Sequence, residues 1–275
     1  MGSLTQFLDV NILNRVFNGT AYTPPSTVYI GLSSTQPTQV GGSSPAGWTE
    51  SIYTNYARWA IAFGAAGSRS IAQSALVTFP TCGATGDTVG WWGLFDAQTG
   101  GNLLAIGQLA ASKNIVSGNV PSIASGQVTV SVSASGSSGG WMTSFVDTLL
   151  NWLFAAGSLA AYSTICLDLA VNSATPAQMD AGTTYALVSG NNYSEETTTS
   201  WTTATTQSAG TPASLSNNSL VSFPAPSGSW GTITFGIASY NSSAVPIAWI
   251  AVTNQAVTSG DTAEFTANQF VITAL

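Results

Sequence analysis

Histidine is absent from this chain, which removes the commonest general base and the commonest metal-binding side chain together. No Ser-His-Asp or Cys-His arrangement can be assembled without it. Charge is almost as scarce: 5% of residues are charged, against roughly 25% in an average soluble protein. The cations are Arg15, Arg58, Arg69 and Lys113, within a net charge of −7, so no basic patch can follow a nucleic-acid backbone. A Ser-Lys nucleophile would have to use Lys113, which no nucleophile motif flanks. Gly139-Gly140 lacks the Lys-Ser/Thr that a phosphate-binding loop requires. Cysteine is limited to Cys82 and Cys166, at non-equivalent places, which argues against a disulfide framework. Long apolar runs are missing too. The most apolar stretch, 145–170, is interrupted by Asp147, Asn151, Gly157 and Asp168 and is not expected to span a bilayer. The start, Met1-Gly2-Ser3, has no basic segment of a secretory signal, and no second membrane signal supports a lipid anchor at Gly2.

Little catalytic chemistry remains. A carboxylate pair for glycoside hydrolysis could draw on Asp87, Asp96, Glu195 and Glu196, but each also reads as a turn or loop residue. No D-x-D-x-D spacing is present for calcium. The expectation is a chain without enzymatic activity, cofactor or metal. Ser, Thr, Asn, Gln and Gly carry the polar surface, which is cheap to desolvate because a hydroxyl or amide that finds a partner costs less to bury than an ion. Such a surface suits either an ordinary β protein with a neutral exterior or one covered by neighbours.

What the chain does contain is a repeat. Leu76-Val77-Thr78-Phe79-Pro80 returns as Leu220-Val221-Ser222-Phe223-Pro224. Trp92-Gly93-Leu94 matches Phe235-Gly236-Ile237, and Ser117-Gly118-Asn119 matches Ser259-Gly260-Asp261. The segment from Thr27 to Leu32 matches that from Thr164 to Leu169. Phe7-Leu8-Asp9 matches Phe145-Val146-Asp147, and Asn14 to Phe17 matches Asn151 to Phe154. The repeat implies two domains, 1–135 and 141–275, joined by a Gly/Ser linker at 136–140.

Each half opens on one amphipathic helix, with Leu4, Phe7, Leu8, Ile12 and Val16 forming the first stripe. Phe145, Leu149, Trp152 and Leu153 form the second, which is apolar enough all round to predict deeper burial. Ser3 is the expected N-cap of the first helix and Asn18-Gly19 its stop. Either helix can pack on its own sheet or dock on a partner. Short strands follow, with turn signals at regular spacing: in the first half at 27–33, 53–63, 75–80, 89–96, 103–109 and 127–133. In the second they fall at 163–170, 184–190, 200–206, 219–224, 231–239, 246–253 and 263–273. The fold class is mainly β: two tandem antiparallel sandwich or barrel domains, each preceded by a helix.

Nine tryptophans are the remaining candidate chemistry. Trp92 is expected in the core, because Phe235 replaces it in the second half. Trp91 then points the other way along its strand. Trp91, Trp48 and Trp201 are candidate sugar-stacking rings. Candidate interface residues are Phe7, Leu8, Ile12, Phe145, Leu149, Trp152 and Trp91.

The run from Phe7 to Thr20, then Thr23-Pro24-Pro25-Ser26-Thr27-Val28-Tyr29-Ile30-Gly31-Leu32-Ser33, Tyr56-Ala57-Arg58, Val77-Thr78-Phe79-Pro80, Gly93-Leu94-Phe95-Asp96-Ala97 and Gly100-Gly101-Asn102-Leu103-Leu104 resembles a family of small structural proteins of tailed bacteriophages. The second half departs from it, with no clear counterpart of Tyr56-Ala57-Arg58. The resemblance implies a non-enzymatic virion protein, assembled in the host cytoplasm. Its partners would be the major capsid protein or other virion proteins, and further copies of itself, without direct contact with nucleic acid or membrane. Taken with the neutral surface and the duplication, the leading expectation is a capsid decoration or cement protein. The alternative is a tail or fibre component with a tryptophan-rich, glycan-binding face.

Overall fold

The computed structural model describes residues 2–43, 45–160, 164–171, 174–182, 185–198, 200–207, 211–240 and 245–274. Strands hold 38% of the chain and helices 12%, so the fold is mainly β, and its sheets curl as half-barrels. The first half runs β1 (Gly2–Leu4), α1 (Gln6–Asn18), β2 (Val28–Ser33), β3 (Trp59–Ile61), β4 (Ser70–Ala72), β5 (Val77–Thr78), β6 (Asp87–Phe95), β7 (Leu103–Ile115), β8 (Ser122–Ile123) and β9 (Thr129–Ser131). The second runs β10 (Gly139–Trp141), α2 (Thr143–Phe154), β11 (Ile165–Ala170), α3 (Pro176–Ala181), β12 (Glu196–Thr198), β13 (Ser214–Ser216), β14 (Val221–Ser222), β15 (Gly231–Tyr240), β16 (Val245–Val257), β17 (Glu264–Phe265) and β18 (Val271–Thr273).

The two halves share a topology. The larger sheet has the order β3-β2-β6-β7-β1-β9-β4, and within it β2-β6-β7-β1 repeats as β11-β15-β16-β10 in the smaller sheet. The pairs β5–β8 and β14–β17 also correspond, as do β4–β9 and β13–β18. Pairing between these strands is antiparallel apart from one parallel bridge, Gly2 to Val130, between β1 and β9.

Several elements differ from the sequence expectation for physical reasons. A three-residue strand precedes each long helix, because β7 and β16 offer free edges to β1 and β10. Ser3 therefore lies in a strand, and Thr5 takes the N-cap position. The Thr5 hydroxyl donates to the carbonyls of Leu103 (2.8 Å) and Leu104 (3.1 Å), tying the helix start to β7 instead of capping it. Gly139 and Gly140 pair with Ile250 and Trp249, so the end of the Gly/Ser stretch is strand. Helix α3 was not expected. Thr175 and Gln178 cap it reciprocally and Pro176 opens it. Of the strand expected at 53–63 only β3 forms, and those expected at 184–190 and 200–206 reduce to single bridges at Leu187 and Trp201, with residue 184 outside the described residues. The stop at Gly19 is as expected: its left-handed φ of 63° lets its N–H return to the Asn14 carbonyl.

Each long helix packs across both halves. Helix α1 packs against its own β7 and against β13 of the second half, while α2 packs against its own α3 and against β4 of the first. Matched residues make matched contacts. Asn14 donates to the Ala204 carbonyl and accepts from its N–H, both at 2.9 Å, and Asn151 accepts from the N–H of Ala66 at 2.8 Å. Phe17 meets Trp201 with centroids 4.7 Å apart, and Phe154 meets Phe63 at 5.4 Å. An Asn on each apolar face is needed because the surface it meets is loop backbone, whose buried N–H and C=O groups require partners. Six residues of α2 and eight of α1 are buried, so the second helix is not the deeper one. Most buried side chains of both halves form one continuous cluster, and Phe95, Leu103 and Ile106 form a second, small one with Trp48 against it.

Candidate functional site

The repeated Leu-Val-Thr/Ser-Phe-Pro stretch supports a tyrosine. Phe79 stacks on Tyr56 and Phe223 on Tyr193, with centroids 6.4 and 6.0 Å apart. Each tyrosine hydroxyl accepts a 2.8 Å hydrogen bond from a strand N–H, Leu32 in the first half and Leu169 in the second. Tyr56 thus has a counterpart, Tyr193, which the sequence comparison missed because the residues around it diverge. Burial, then the nearby carboxylate (Glu50 or Asp168), pushes each phenol well above its ordinary value.

Around Tyr56 the first half builds a polar cluster centred on Glu50. Glu50 accepts from Arg58 Nε (2.7 Å) and Nη2 (2.6 Å), from the Tyr56 hydroxyl (3.0 Å) and from Trp48 Nε1 (3.3 Å). Arg58 lies 3.3 Å from the centroid of the Phe95 ring and donates to the carbonyls of Ala97 and Gly100. Burial pushes the Glu50 carboxyl up, but the hydrogen bonds and charge of Arg58, with Tyr56 and Trp48, hold it below its ordinary value. Every group here is committed to another, so the cluster clamps the β6–β7 turn. Asp87 and Asp96 are likewise engaged, with Ser51 and Ile52 and with Asn102 respectively. Among the described residues no group of His, Cys, Asp or Glu could hold a metal ion.

A second buried network joins the halves. Arg69 donates to the carbonyls of Val132, Ser133 and Trp141 and lies 3.8 Å from Asp180 of α3. Asp180 also accepts from Trp249 Nε1 (2.9 Å) and from the N–H of Ser135 (2.8 Å). Asp147 of α2 accepts from the Arg69 N–H at 2.7 Å. This hub is structural.

The expected site residues separate into three groups. Leu8, Ile12, Phe145 and Leu149 are buried, so they pack within the chain and do not offer themselves to another molecule. Trp201 is 5% exposed, wedged between Phe17 and Phe270, and cannot serve as a stacking platform. Phe7, Trp152 and Trp48 are half-buried; Trp152 meets Tyr22 edge-on and Trp48 meets Phe95 in the same way.

Trp91 is different. It is half-buried on β6, flanked in the sheet by Ser33 and Gln108, and faces away from its neighbour Trp92, which is 1% exposed. It lines a groove of about 680 Å³ with Ser3, Gln36, Thr38, Gln39 and Gln108. The groove lies over β6, β7 and β1, in the middle of the larger sheet. Among the described residues no charged side chain lines it. Gln39 donates to Ser3 at 2.9 Å, while the buried Thr38 hydroxyl has no partner. The alternation of the strand signalled Trp91; the glutamines, from a long loop and a facing strand, carried no sequence signal.

A family model described as Podophage GP4 fiber I protein gp80 matches the chain twice, over residues 3–131 and 140–273, once for each repeat. No curated protein sequence matches the chain.

Proposed function

Because the chain belongs to the podophage GP4 fiber I protein gp80 family, we propose that it is a non-enzymatic fibre component of a phage tail, exposed on the virion and bound to other virion proteins. The family match over both repeats carries this reading. It favours a fibre over the capsid decoration that composition and duplication suggested, since the matched family is described as a fibre protein. The neutral polar surface supports assembly with neighbours, including further copies of the chain, because its hydroxyls and amides can be covered at little cost. The carboxylates of Glu50, Asp87, Asp96 and Asp180 support the non-enzymatic part of the reading, each being held by neighbouring groups in a structural role.

The test is location. Antibody-gold labelling of intact virions, or a particle map at modest resolution, is expected to place the chain on tail appendages. Density on the capsid faces, with capsids that lose heat resistance once stripped of the protein, would replace the fibre reading with decoration.

A further inference from the structure

We infer that the groove at Trp91 is a binding site for a neutral oligosaccharide. Three independent observations converge on it. First, the fold does not need Trp91. In the repeat its place belongs to Thr234, just before Phe235, and that half builds the same sheet without an indole there. Trp91 makes no ring contact or hydrogen bond with another described residue, so its face and its indole N–H are both available.

Second, the surrounding groups suit sugar hydroxyls. Gln36, Gln39 and Gln108 are exposed, and each amide offers a donor and an acceptor side by side, the arrangement that matches adjacent hydroxyls of a pyranose. The apolar face of a sugar ring packs on an indole while its hydroxyls reach the amides around the rim. Third, the lining disfavours charged ligands. With no charged side chain among the described residues it offers no ion pair to a phosphate or a sulfate and no carboxylate to a metal ion. It lies on the face of the sheet, whereas a peptide adding as a strand needs an edge, and the edges here are β3 and β4.

The groove also has room for more than one ring. Ser3, Gln39, Ser131 and Ser133 are shared with an adjoining hollow of about 640 Å³ that runs toward Trp141. The guanidinium of Arg69 borders that hollow but is already bound to backbone carbonyls. A short chain of uncharged sugars fits this run of hydroxyls and amides.

The biological sense of the site rests on the proposed exposure of the chain on the virion; the binding itself does not. The experiment uses the purified full chain on an array of neutral and anionic glycans, followed by calorimetric titration with maltotetraose and tetra-N-acetylchitotetraose. Retention of a neutral glycan is expected. Trp91→Thr, which installs the residue the second half carries, should weaken it by about tenfold or more, and Gln108→Ala by several-fold. Both variants should keep the wild-type circular dichroism spectrum. Failure to retain any neutral glycan, retention of anionic glycans alone, or equal binding by a folded Trp91→Thr variant each overturns the inference. Binding by a protein that labelling places on the capsid would leave the site standing and remove the fibre reading.

Discussion

Asp9 should make this protein less stable as the pH rises from acid to neutral. Its side chain is buried in α1, Oδ1 has no hydrogen-bond partner, and burial pushes the carboxyl up from 3.8 to about 8. In α2 the matching residue, Asp147, receives the Arg69 N–H instead. Between pH 3.8 and about 8 the unfolded chain has released the Asp9 proton and the folded chain has kept it. The folded state therefore binds more protons there, and this group's contribution is fully present below the unfolded value and lost as the pH climbs toward the folded one. By pH 7 about three pH units have been crossed, which corresponds to ~4 kcal/mol. Asp9→Asn removes the charge at nearly the same shape. Thermal and chemical denaturation of both proteins across pH 5 to 8 should show a falling curve for wild type and a flatter one for the variant. At pH 7 the gain should be on the order of 10 °C in melting temperature. The background is favourable: no histidine adds a slope, and Glu50, whose carboxyl is held low, loses its contribution only below its ordinary 4.5. Parallel curves for the two proteins over this range, or a variant less stable at pH 7, would refute the reasoning.

Two further perturbations test the packing. The Trp92 indole lies across Gly107, where a Cβ would come within 2.2 Å of Cζ2, so Gly107→Ala should cost about 1–3 kcal/mol in denaturant titration. Trp92→Phe should restore most of it, because the second half pairs Phe235 with Ala251 at the same place; additive losses in the double variant would contradict this. Arg58→Met should cost about 2–3 kcal/mol, less than a fully buried pair because a third of the Glu50 side chain is exposed, and should raise the Glu50 carboxyl in a titration followed by NMR. An unmoved Glu50 would show that Arg58 does not set its charge.

How far the fold could be read from residues depended on whether the cause was local. Gly19 ends α1 because of its own backbone freedom, and Trp92 and Trp91 diverge because a strand alternates, so both were legible. The capping signal of α3, Thr175 with Gln178 and Pro176, is equally local. Strands β1 and β10 had no signal at all: Gly2-Ser3-Leu4 is a strand because β7 leaves an edge unpaired. The bridging by the helices was hidden for the same reason. An apolar stripe states that a helix is covered, and nothing in Leu8, Ile12 or Leu149 states by which half. Trp201 was ambiguous because an indole serves a sugar or a core equally well, and only its contact with Phe17 of α1 decides between them.

That bridging also limits where the copies can differ. Because α1 meets β7 and β13, and α2 meets α3 and β4, a change in either helix must be met in both halves, and Asn14 and Asn151 keep matched contacts, as do Phe17 and Phe154. Residues outside that shared core carry no such obligation. Trp91 stands where the second half has Thr234, on the face of the sheet opposite Trp92, while the loop holding Gln36 and Gln39 lies across that face and also meets α1, the Gln39 and Val40 carbonyls accepting from the N–H groups of Gln6 and Phe7. A duplicated fold held together in this way keeps both copies for stability, and the groove at Trp91 is lined by residues of the first half.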